Sequence, residues 1–140
     1  MNYGRIVIAG VVATVVYFLI GGMVAGKLLA KYYLPYTGVY RPRSEIMGYF
    51  PIGIGMMLLA MIVLATIYAH GYKGGSGSAE GARFGLLVGL FVAFAVVGDE
   101  YVTMNIGKDL AVVMALGRLF VWVIAGTTIG LIYKARAVSR

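Results

Sequence analysis

Three charged residues stand where charge is expensive. Asp99, Glu100 and Arg118 lie in or at the edge of long apolar runs. Arg118 falls about nine residues into the last run, roughly 13 Å along a helix at 1.5 Å per residue. A charge at that depth in a bilayer costs at least about 2.5–3.5 kcal/mol, so it must be paired or face water. The acids come from the preceding run. If the two runs form an antiparallel hairpin turning near Ile106, Asp99 lies opposite about Val113, and Arg118 is about 7 Å deeper. A long arginine side chain reaches back across such a gap. The trio can then lock two helices through one ion pair, or line a polar path for protons, ions or a small anion.

The runs that position these charges are Ile6–Gly26, Phe50–Ala69, Phe84–Val102 and Leu110–Tyr133. A bilayer core about 30 Å thick is crossed by about 20 helical residues. Lipid offers no partner to a backbone N–H or C=O, so each run must be a helix. The chain is 61% hydrophobic and only 12% charged, too few polar residues to cover four such helices in water. The expected fold is all-α: one membrane domain over residues 1–140, a bundle of four transmembrane helices built from two helical hairpins. The helices are expected at about 5–26, 50–70, 83–103 and 109–133, with an interfacial loop over 27–48.

Small residues mark the expected contacts. Gly10, Thr14 and Gly21 share one face of the first helix with Tyr17. Gly81, Gly85, Gly89 and Ala93 form a double GxxxG ridge on the third, and Gly126 and Gly130 repeat the spacing on the fourth. Such ridges let two backbones approach closely. On a uniform wheel Glu100 points where Gly89 and Ala93 point, into that packed interface, and Asp99 falls at the ridge's edge.

The loops speak of a membrane surface. Tyr32, Tyr33, Tyr36 and Tyr40 stand among Lys27, Lys31, Arg41 and Arg43, and tyrosine with lysine or arginine is the chemistry of interfacial anchors. Pro35 and Pro42 argue against one continuous helix there, so a short interfacial helix or helix extension followed by an ordered loop on the headgroups is expected, and Pro51 suits the first turn of the second helix. Tyr72–Gly81 reads as a flexible glycine–serine connection. Four crossings put both termini on one side, with Arg5, Lys73, Arg83, Lys134, Arg136 and Arg140. Lys27, Lys31, Arg41, Arg43 and Lys108 fall on the other. The positive-inside rule then places the termini in the cytoplasm. The net charge of +7 is spread over helix ends, which suits anionic lipid headgroups rather than nucleic acid.

Other chemistries lack their residues. Without cysteine there is no thiol nucleophile or cysteine-ligated metal. His70 is the single histidine, and no metal-ligand spacing surrounds it. GGSGS lacks the lysine and strand context of a phosphate loop. No metal, cofactor or catalytic residue is expected.

The stretch IYAHGYKGGSGSAEGARFGLLVGL pairs a tyrosine-ended helix and a glycine turn with a glycine-ridged helix. It resembles uncharacterised small four-helix integral membrane proteins of bacteria, a likeness that implies a bacterial cytoplasmic membrane and no particular activity. The near-balanced cations also resemble the small multidrug resistance family, but that family's glutamate lies in its first helix, where this chain has no acid. The function expected is a non-catalytic accessory or assembly subunit, with lipid and other transmembrane helices as partners. The alternative is a small oligomeric transporter or channel using Asp99, Glu100 and Arg118.

Overall fold

A computed structural model describes residues 1–134, apart from the side chain of Arg43. Four helices are long and apolar enough to cross a membrane: α1 (Tyr3–Tyr36), α2 (Arg43–Gly71), α3 (Gly77–Thr103) and α4 (Lys108–Lys134). No strand occurs among the described residues. The chain is an integral membrane protein. Arg136 and Arg140 lie outside the described residues.

The helices stand in the order α2–α1–α4–α3, so the last helix of the chain sits between the first and the third. The hairpins α1–α2 and α3–α4 are joined along α1 and α4. Arg5 Nη1 donates to Tyr133 O at 2.8 Å, which ties the first turn of α1 to the last turn of α4. Both ends of the described chain therefore lie at one end of the bundle.

In lipid, apolar burial does not drive helices together, so close packing must. The ridge on α3 supplies it. A Cβ on Gly81 would sit 2.5 Å from Gly126 O, and one on Gly89 2.8 Å from Leu119 Cδ1. A Cβ on Gly126 would sit 2.5 Å from Gly85 Cα. Gly130 reciprocates against the backbone of Gly77, which extends the ridge by one member that the sequence had assigned to a loop. Ala93 follows the ridge and is half-buried. On α1, Gly10 lies against Ile62 of α2, and buried Thr14 returns its hydroxyl to Gly10 O at 2.8 Å. Gly21 is looser, its nearest neighbour being Val121 Cγ1 at 4.0 Å.

Three buried clusters fill the seams. Ala9, Ala13, Met61, Ala65, Ala125 and Ile129 pack at the end shared by the termini. Val24, Leu29 and Val121 lie midway. Val97, Ile106, Leu110 and Met114 close the opposite end. Large apolar side chains such as Leu19, Leu59, Leu87, Phe94 and Leu116 point outward, as a lipid-facing surface requires.

Helix boundaries depart from expectation in three places. α1 runs on to Tyr36 instead of stopping near residue 26, so the segment 27–48 is mostly helix. Pro35 is accommodated because the last turn, Leu34–Tyr36, tightens to a 3-10 helix. α2 begins at Arg43 rather than 50, with Pro42 at its cap, and Pro51 lies inside it. Pro51 removes one backbone donor, and the turn before it is exposed rather than packed against a neighbour. α3 begins at Gly77 instead of 83, because Gly77 and Gly81 are already packed on α4. The connection left between α2 and α3 is short, and Gly74 adopts the left-handed φ of 87° that turns it.

Candidate functional site

The charged site forms where two helices depart from α geometry. α1 widens to a π-helix over Val24–Leu29 and α3 over Val92–Val97. A π turn inserts about one extra residue, so everything beyond it rotates by about 100° relative to a uniform wheel. On α3 this carries Glu100 onto the direction of Gly81, toward α4, and turns Asp99 outward. π turns recur at functional sites, and both of these flank the same charges.

Arg118 Nη2 donates to Glu100 Oε1 at 2.9 Å. The two side chains retain about 30% and 20% of their exposure, so the pair is neither fully buried nor free in water. Oε2 of Glu100 is buried with no hydrogen-bond partner among the described residues. Asp99 does not join them. It is exposed, and only its backbone carbonyl is engaged, by Thr103 Oγ1 at 2.8 Å. Of the three charged residues, two meet and one does not.

The tyrosines that read as surface anchors also pack inward. Tyr32, Tyr33, Tyr36 and Tyr40 lie against the cluster at the α3–α4 turn. Tyr36 Oη accepts from Gly107 N at 2.9 Å, which fastens the end of α1 to that turn. Tyr40 donates to Met114 Sδ at 3.7 Å and meets the Tyr33 ring edge-on at 5.1 Å. Burial pushes the Tyr40 phenol above its ordinary value of 10.0; the Glu100 carboxylate adds to the rise and Arg118 opposes it. Tyr40 therefore shares an electrostatic environment with the ion pair. Arg41 lies over the Tyr49 ring at 4.1 Å and 3.9 Å from Glu45, both at the exposed rim. Arg43 begins α2; its side chain lies outside the described residues.

Beside the pair is a half-open cavity of about 170 Å³ between α1 and α4. Tyr17, Phe18, Tyr33 and Arg118 line it, and Gly21, whose Cβ would meet only Val121 Cγ1 at 4.0 Å, leaves space on the α1 side. The hydroxyls of Tyr17 and Tyr33 have no hydrogen-bond partner among the described residues. The π segment of α1 reaches this cavity through Val24 and Leu29, which close on Gly117. Sequence reasoning missed Gly117 and the role of Tyr33. The adjacency of Gly117 and Arg118 was the available signal: a place where another helix can come close, beside a charge.

His70 is at the other end of the bundle, where its Nδ1 lies 2.9 Å from Thr66 O. Among the described residues no three histidine, aspartate or glutamate side chains come together as a metal site would need. No family model, curated protein or solved structure matches this chain.

Proposed function

We propose that this chain is a non-catalytic subunit of a larger membrane complex. It sits in a bacterial cytoplasmic membrane with both termini on the cytoplasmic side, and it docks through the first half of α2. The observation that carries this is the exposure of that half-helix, whose Phe50 ring lies 5.4 Å from the Phe18 ring of α1. From Ser44 to Met56 every residue is exposed, on all faces, over a length of about 20 Å. α2 meets α1 mainly through Tyr3–Met23 and touches α4 little. Gly48, Gly53 and Gly55 lie in this stretch, and a Cβ on any of them would meet nothing within 4 Å. Each glycine weakens a helix by about 1 kcal/mol relative to alanine. Within this molecule the α3–α4 glycines offset that by admitting a neighbouring backbone. The α2 glycines have no such neighbour in the single chain, and a transmembrane helix of another subunit supplies one.

A transport role would need Glu100 to load and release a cargo. Its Oε1 is instead held by Arg118, which favours a locking role for the pair.

Gentle extraction followed by native mass spectrometry tests the docking. The expected species is heavier than the 15.0 kDa chain. Gly55→Leu should release the monomer without lowering its melting temperature. A wild-type chain that appears only as a 15.0 kDa monomer refutes the proposal. For orientation, Ser78→Cys in this cysteine-free chain should resist an impermeant thiol reagent added outside intact cells. Labelling there would reverse the assignment.

A further inference from the structure

We propose that the cavity beside Arg118 binds the head ring of a lipid-soluble quinone, a neutral ring carrying carbonyl oxygens on an apolar tail. Size comes first. An engineered cavity of about 150 Å³ holds one benzene ring, and this one is about 170 Å³. Three of its lining residues, Tyr17, Phe18 and Tyr33, are aromatic, which suits a flat π system.

Hydrogen-bonding capacity comes second. A guanidinium carries five N–H donors, and Arg118 spends one on Glu100. Tyr17 and Tyr33 add two hydroxyls that no described residue engages. The cavity is therefore rich in donors, and its ligand must bring acceptors.

Charge comes third. The Arg118–Glu100 pair is neutral as a unit. An anion that drew Arg118 away would strand a carboxylate whose other oxygen is already buried without a partner. A cation would face Arg118. A carbonyl compound uses the spare donors and leaves the pair intact.

Access comes last. Arg118 lies deep in α4, so a ligand must arrive through lipid. The cavity reaches the outer face of α1 at Gly22, where a Cβ would meet nothing within 4 Å. This proposal is independent of any docking by α2, and it is tested on the isolated chain.

The single tryptophan supplies the readout. Trp122 lies 5.3 Å from the Tyr17 ring, on the edge of the site. The full chain in nanodiscs is titrated with decyl-1,4-benzoquinone, which quenches indole fluorescence at contact. Saturable quenching is expected, undiminished by decyl-1,4-dimethoxybenzene, which keeps the ring and tail but lacks carbonyls. Gly21→Phe fills the cavity and should abolish saturation. Tyr33→Phe removes one hydroxyl and should weaken binding about fivefold, the worth of one neutral hydrogen bond, with the melting temperature unchanged. If Gly21→Phe does not fold, Tyr33→Phe decides. Quenching that rises linearly and equally in wild type and Tyr33→Phe overturns the proposal. So does displacement of the quinone by decanoate at equal concentration, which would mark an anion site.

Discussion

Replacing Gly126 by alanine adds one methyl group, and the geometry fixes what it meets. Its Cβ would lie 2.5 Å from Gly85 Cα and 2.6 Å from Gly81 O. Both obstacles are backbone, so no side chain can swing aside. Carbon atoms pack at about 3.5–4.0 Å, so α3 and α4 must part by about 1 Å. A gap of that size forfeits up to about half of each dispersion contact along the seam. Overpacking of this kind costs about 1–3 kcal/mol, and a rigid obstacle places Gly126→Ala near the top. Alanine returns up to about 1 kcal/mol of helix propensity. The net loss is about 2 kcal/mol, a roughly thirtyfold shift in the unfolding equilibrium. Gly55→Ala is the matched control. Its Cβ meets nothing within 4 Å, so it should be neutral or up to about 1 kcal/mol stabilising. Unfolding in mixed micelles of rising dodecyl sulfate content, followed by Trp122 fluorescence, measures both. A Gly126→Ala chain that unfolds at the wild-type midpoint, or a Gly55→Ala chain that loses as much, would refute the close-packing account.

Two further perturbations probe the charged end. Arg118→Leu leaves Glu100 without its partner in a largely buried place and should destabilise by about 2–3 kcal/mol, discounted from a fully buried pair for residual exposure. Arg118→Leu combined with Glu100→Leu should recover most of that, and a double variant as unstable as the single one would argue against a simple ion-pair lock. Tyr40 has its phenol pKa raised in the fold above 10.0, so the folded state holds that proton longer than the unfolded chain. Its stabilisation is complete below pH 10.0 and is lost as pH rises through the higher folded value. The alkaline fall in melting temperature should therefore be shallower in Tyr40→Phe than in wild type; parallel curves would contradict the placement of Tyr40.

The four spans were legible because lipid permits little else: long apolar runs must become helices whatever their partners. The reach of Arg118 back to α3 also follows from hairpin arithmetic. Gly77 was hidden by its neighbours, since GGSGS reads as a loop by composition although its third glycine already touches Gly130. The π turns were invisible for a different reason. A wheel with one fixed angle cannot register an inserted residue; it still turned Glu100 toward the helix that carries Arg118, while Asp99, expected at the ridge's edge, is exposed. In the 27–48 segment the helix extension and the loop after it were expected, but not how far each helix runs, because prolines mark a break without fixing its place. Pro35 and Pro51 are tolerated because one falls in a tightened last turn and the other in an exposed stretch of helix. Interfacial tyrosines carry no sign in sequence of which way they face, and Tyr36 is committed to a backbone amide seventy-one residues away.

The helix order has a consequence for how the protein enters the membrane. Of the four described helices α4 is made after the other three, yet it separates α1 from α3. Until it arrives, α1 and α2 have only each other, and the glycine face of α3 has no counterpart. Glu100 leaves the ribosome ahead of Arg118, which follows 18 residues later in the chain. It must therefore cross in its protonated form, wait near the headgroups, or enter together with α4 as one hairpin. Among the four described helices the central one thus arrives after its neighbours, and Arg118, deep in it, comes with the step that closes the bundle.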